Sequence, residues 1–227
     1  MLNAKNKQQK QYVEIYFLDI KMFLQYILIS IVLRKGKRLV STSKRDILVR
    51  KTKEVLYRDG FHATGMDKLV KETGVSKMTI YKHFRTKEDL ILAALRLRDE
   101  EFRSSFFRKI EAAASTPKGR LLAIFDAIAE WIASRDFHSC MFIKAASEYQ
   151  DPNHPINITA TEHKDLILDF IRDLAEKAAA RDPDVLARQL FMLVEGETVT
   201  AFMMRKGGIA RDAKKAAEIL INQQIPV

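Results

Sequence analysis

One cysteine, five prolines and eight glycines in 227 residues exclude several kinds of protein before any motif is read. The lone thiol, Cys140, forbids a disulfide within the chain and any metal site built on several cysteines. It also fits a reducing, cytoplasmic compartment. So few turn-forming residues argue against an all-β fold, which needs many of them. Catalytic signatures are missing as well: there is no Gly-rich phosphate loop, no H-E-x-x-H, no G-x-S-x-G and no clustered carboxylate pair. His138, His154 and His163 are spaced 16 and 9 residues apart, which matches no standard metal site. An enzyme is therefore not expected, and neither is a metal or cofactor.

Acidic charge is scarce at one end only. Residues 1–43 hold 8 basic and 2 acidic side chains, and residues 44–91 hold 12 and 7. The remaining 136 residues hold 19 and 20, so the first 91 carry +11 and the rest −1 of the net +10. A basic module for a polyanion or a membrane surface, joined to a neutral module with another task, accounts for such asymmetry.

A long clean hydrophobic run is also lacking. In residues 12–33, "YVEIYFLDIKMFLQYILISIVL", Glu14, Asp19 and Lys21 interrupt the apolar sequence, leaving Met22 to Leu33. A span needs roughly 20 predominantly apolar residues, and no small-residue cleavage site follows. Residues 1–40 are set aside as an extension with three readings: an added helix, a marginal membrane anchor, or upstream sequence included by an early start codon. The third is the expected one. The anchor keeps open an alternative function, a membrane-associated helical interaction protein, although no stable membrane association is expected.

From Ser41 the signals are regular and helical. Ile47, Leu48, Val55 and Leu56 make one apolar stripe, with Ser43 and Asp46 in a capping relation. Gly60 suits the left-handed position past the helix end, with Phe61 as its apolar partner. A short helix follows with Met66, Leu69 and Val70 on its apolar side and Thr64 or Gly65 at its start. Gly74 ends it, and after Val75-Ser76 a third helix begins at Lys77. Two short helices joined by a glycine-containing turn form a helix-turn-helix. Leu69, Val70, Val75, Ile80 and Phe84 fill the angle, which leaves Lys77, Met78, Tyr81 and Lys82 facing outward. Thr86 and Asp89 form the reciprocal cap of a fourth helix, whose first turn carries Lys87 against the helix dipole.

The stretch "FHATGMDKLVKETGVSKMTIYKHFRTKEDLILAAL", Phe61 to Leu95, resembles the DNA-binding region of the TetR family of transcriptional repressors. The G-V-S turn, the Tyr-x-x-Phe of the recognition helix and the following Lys-Glu-x-Leu carry the resemblance. It implies a homodimer whose helical C-terminal domain binds a small-molecule effector and drives release from a palindromic operator in double-stranded DNA. By position, Lys77, Met78, Thr79 and Lys82 match base- and phosphate-contacting residues, and Thr64, Tyr81 and Lys87 match phosphate contacts. His83 stays open between a phosphate contact and a packing or capping role.

Residues 92–227 read as successive helices. One runs from Pro117 through Leu121, Leu122, Phe125, Ile128, Ala129 and Ile132. A short one covers "MFIKAASEYQ", and a long one begins near Thr159 with Leu166, Ile167, Phe170, Ile171 and Leu174. Asp182-Pro183 opens another, through Leu186, Leu190, Leu193, Val194 and Val199, and a last helix covers about Asp212 to Asn222. Second apolar rows on the last two long helices suggest a two-fold four-helix contact through Leu166, Phe170, Leu190 and Leu193. Candidate pocket residues are Phe102, Phe106, Trp131, Cys140, Met141, Phe142, Tyr149 and Met192, although aromatic and methionine side chains at helical spacing are more often plain core. Cys140 is either an oxidant-sensing or an inert thiol.

The expected fold is all-α: a helix-turn-helix DNA-binding domain over 41–91 and a helical ligand-binding and dimerisation domain over 92–227.

Overall fold

The computed structural model describes residues 43–226. The expectations for residues 1–40, the apolar run 12–33 among them, lie outside the described residues. Among the described residues every element is a helix, as expected: α1 Lys44–Asp59, α2 Met66–Thr73, α3 Lys77–His83, α4 Lys87–Ala113, α5 Pro117–Ile132, α6 Met141–Glu148, α7 Pro155–Lys177, α8 Pro183–Met204 and α9 Ile209–Gln224. None of these helices is long and apolar enough to cross a membrane.

Local sequence explains where most of them stop and start. Gly60 and Gly74 both take the left-handed backbone, at φ +86° and +69°, that ends α1 and α2. Thr86 and Asp89 form a complete capping box on α4. Asp182 caps α8 ahead of Pro183, and Thr116 caps α5 ahead of Pro117. The start of α7 differs from expectation. His154 accepts from the Ile156 amide and Pro155 takes the first position, so the helix begins four residues before Thr159.

Buried apolar side chains form three clusters. The first fills the helix-turn-helix: Leu48, Val49, Val55, Leu69, Ile80, Phe84 and Leu90. Within α1, Val49 rather than Ile47 faces inward, and Ile47 is 40% exposed. The second cluster is a joint. It packs Leu56 of α1, Phe61 of the turn after it, and Ile91, Ala94 and Leu95 of α4 against Cys140, Met141, Phe142 and Ala145 at α6. The third is the body core, shared by α4, α5, α7, α8 and α9. Helix α4 runs unbroken through 91 and 92, so it belongs to both the helix-turn-helix core and the body.

Candidate nucleic-acid interface and effector cavity

Helix α3 is held by what lies beneath it. Ile80 is fully buried and Phe84 nearly so, four residues apart on one side of the helix. Ser76 caps the start, accepting from the Thr79 amide at 3.3 Å, while its hydroxyl lies 2.9 Å from that of Thr79. This cap was not foreseen, although a serine immediately before a helical run is its ordinary signal. With the inner side locked, Met78 is left 85% exposed and Tyr81 46% exposed. Lys77 and Lys82 are exposed beside them, and Thr79 is half-buried.

His83 is exposed as well. Phe84, not His83, occupies the C-cap of α3, so the packing and capping roles fall away. Lys77 makes one ion pair, to Asp67 at 3.5 Å, with both partners exposed. Such a pair is worth little and exchanges readily for a stronger anion.

Two residues expected on this surface turn inward. Thr64 is fully buried, and its hydroxyl donates to the Gly60 carbonyl at 2.7 Å, bracing the turn before α2. Lys87 donates from Nζ to the Phe61 carbonyl at 2.7 Å, and burial pushes its ammonium below the ordinary lysine range. That carbonyl answers the inconsistency seen in sequence, a lysine in the first turn of a helix.

The same turn is gripped from the body. The Glu148 carboxylate, at the end of α6, accepts from the Phe61 amide at 3.0 and 3.1 Å and also from the His62 amide. Lys144, one turn earlier, donates to the Tyr57 carbonyl at 2.9 Å, and the Tyr57 hydroxyl accepts from the His138 amide at 3.0 Å. These contacts join residues 81 to 87 apart in sequence. No local motif announces them.

At the other end of α6 lies a cavity. Of the expected pocket residues it gathers Phe102, Phe106, Trp131, Cys140, Met141 and Phe142, together with Arg98, His163, Lys164 and Glu195. Two expected members are elsewhere. Tyr149 stacks between His62 and His154, at 4.9 and 4.8 Å between ring centres, and burial raises its hydroxyl to about 12. Met192 is 63% exposed on the outside of α8. The cavity is tight, about 20 Å³, which is roughly the space of one water.

The charges around it are mostly paired across helices. His163 Nδ1 lies 2.7 Å from Asp99, its ring stacked on Phe142 at 3.6 Å. Burial lowers the His163 pKa, partly offset by Asp99. Burial would raise Asp99, but hydrogen bonds from His163 and Arg103 prevail and hold it at about 2. Lys164 donates to both Glu195 oxygens at 2.7 and 2.6 Å.

The expected four-helix contact also needs revision. Leu190 is 0% exposed and belongs to the body core. Phe170 stacks on Phe107 at 4.0 Å within the subunit. Leu193 is partly buried against that core, and Leu166 is exposed. Exposed apolar side chains of α8 and α9 lie instead at Met192, Met203, Met204 and Ile219. Among the described residues no group of His, Cys, Asp or Glu is arranged to hold a metal ion.

Comparison with known proteins converges on this architecture. Residues 48–94 match the family of bacterial regulatory proteins described as the tetR family. The HTH-type transcriptional regulator YjdC of Escherichia coli K12 is 22% identical over 178 residues, covering 78% of this chain and 93% of that protein. The HTH-type transcriptional activator FasR of Mycolicibacterium smegmatis is 42% identical over 62 residues, 27% of this chain and 28% of that protein. Among solved structures, SCO4454, a TetR-family transcriptional regulator from Streptomyces coelicolor, superposes with a TM-score of 0.74 at 27% identity. It covers 81% of this chain and 96% of its own. Residues 48–94 thus carry the DNA-binding module of the tetR family, and the helical chain as a whole is similar to TetR-family transcriptional regulators.

Proposed function

We propose that the chain is a ligand-responsive repressor that binds a palindromic operator as a homodimer through the outward side of α3 and leaves it when a small molecule enters the cavity beside α6. The observation that carries this reading is the contrast across α3. Ile80 and Phe84 are sealed inward, while Lys77, Met78, Tyr81, Lys82 and His83 stand exposed with one weak ion pair among them. Lysines suit phosphate oxygens and guanine acceptors, the Tyr81 hydroxyl suits a phosphate, and Met78 suits a thymine methyl. Thr64 and Lys87, turned inward, are assigned to bracing the turn before α2.

Residues 41–91 are assigned to DNA binding and 92–227 to effector binding and dimerisation, in a cytoplasmic protein. The exposed apolar residues of α8 and α9 support a second copy as the dimer partner. Release is supported by the position of α6, with Cys140 and Met141 at the cavity and Glu148 on the turn before α2. FasR is named an activator, but its similarity is confined to about a quarter of this chain. The run of α6 from the cavity to the turn supports release on effector binding, the behaviour of a repressor.

The test is footprinting of the purified full chain on the DNA upstream of its own gene, with a promoter fusion read in its presence and absence. A two-fold protected site with reduced expression is expected. Protection without symmetry would overturn the dimeric operator, and raised expression would overturn repression.

A further inference from the structure

Among the described residues, every lysine and arginine that lines the cavity or the cleft outside it has a carboxylate partner except one. Lys164 is held by Glu195, Arg103 by Asp99, Lys53 by Glu101, and Arg58 by Asp59 and Glu72. Arg98, half-buried on α4, has no hydrogen bond or ion pair to any described residue. Its guanidinium instead lies over three rings: Tyr57 at 4.8 Å, Phe102 at 5.5 Å and Trp131 at 5.9 Å. Rings can favour a cation but do not neutralise it.

The position of Arg98 matters as much as its charge. Arg98 and Trp131 are the two residues that line both the inner cavity and an outer cleft of about 480 Å³ bounded by Lys53, Glu54, Tyr57, Arg58, Asp136 and His138. They form the wall between the two spaces. The inner side is apolar, with Phe106, Ile128, Met141 and Val194, and has room for about one water as it stands. Around it the charges of Lys164 and Glu195 cancel and burial disfavours a charged His163, which leaves a surplus of one positive charge, on Arg98.

We propose that the effector is an apolar organic carboxylate whose acid group seats on Arg98 at this wall. The proposal rests on the ligand-responsive reading above and names the class of ligand. A planar guanidinium takes a carboxylate through two parallel hydrogen bonds, and the ring cage leaves its donors free to do so. One negative charge matches the surplus. A doubly charged phosphate ester would leave a net charge among aromatic rings, at a desolvation cost. The apolar body of the acid then presses between Phe102 and Trp131, against the one-water cavity that ends at Cys140 and Met141.

Trp131 is the single tryptophan of the chain, so its fluorescence reports on this wall directly. The full chain is titrated with octanoate and phenylacetate and with their neutral amides, and release of labelled operator DNA is followed in parallel. The acids should shift Trp131 emission saturably, and the amides should bind at least about tenfold more weakly. Arg98→Gln should erase that preference and Arg98→Lys should keep part of it. Both variants should melt near the parent temperature and bind DNA like the parent when no ligand is present. Amides that bind as tightly as acids, an acid preference that survives Arg98→Gln, or the absence of any Trp131 response would overturn the proposal. Arg98-dependent binding of acids without DNA release would uphold the carboxylate site and refute the release reading. Equal release by acids and amides would do the reverse.

Discussion

At its first turns α4 supports a helix whose polar side faces solvent almost uncommitted; farther along, the same helix borders a cavity where charges are answered in pairs. Around α3 the outward residues share one long ion pair, Lys77 to Asp67. Around the cavity, Asp99 holds both His163 and Arg103, and Glu195 holds Lys164. A surface meant for a polyanion gains from cations that nothing else has claimed, because each phosphate contact then releases a counterion at little cost within the protein. An interior cannot leave charges so, because an unpaired ion in a low dielectric costs several kcal/mol. The exception inside, Arg98, is therefore informative in the way that the lysines outside are not.

The largest test of this contrast is at the joint. Phe61 is fully buried between the helix-turn-helix and α6. Phe61→Ala should cost about 3–5 kcal/mol in chemical denaturation, and DNA binding should fall with the folded fraction. Next comes Glu197, buried in α8 with neither carboxyl oxygen hydrogen-bonded among the described residues. Burial raises its pKa from 4.5 to about 8. The native state thus keeps a proton that the unfolded chain loses. This contribution to stability is complete below about pH 4.5 and falls as pH rises toward about 8. The loss is on the order of a few kcal/mol, and Glu197→Gln should flatten this part of the stability–pH curve.

A smaller effect is expected at Glu148. Glu148→Gln weakens the charge-assisted bonds to the Phe61 and His62 amides and should cost about 1–2 kcal/mol. If Glu148 couples the two regions, thermal melting should also broaden or split, whereas a merely local role would only lower the midpoint. Smallest is Thr86→Ala, which removes the capping box of α4 and should cost about 1 kcal/mol, with α3 left in place.

These regions also differ in how well the sequence announces them. In the helix-turn-helix the deciding signals are local. Gly60 and Gly74 end helices, Thr86 and Asp89 begin one, and Ile80 and Phe84 share a side by spacing alone. What was missed there was one contact four residues apart and one between distant residues. Thr64 and Lys87 looked outward by position, yet carbonyls of the turn, at Gly60 and Phe61, claim both. In the body almost everything specific is long-range, such as Asp99 with His163, 64 residues apart. Helix α8 is apolar on more than one side, so periodicity did not decide which row turns inward. Leu190 and Met192, two residues apart and so about 200° around the helix, ended on opposite sides. Arg98 gave no signal, because a missing partner is visible only once every neighbour is placed.

The central claim, that the open side of α3 reads duplex DNA, is tested most directly by measuring operator affinity against salt for the parent and for Lys77→Ala. The parent should show log K falling steeply and linearly with log salt. The variant should bind more weakly with a slope shallower by about 0.9, one phosphate contact, and with an unchanged melting temperature. A variant with the parent's affinity and slope would contradict the account.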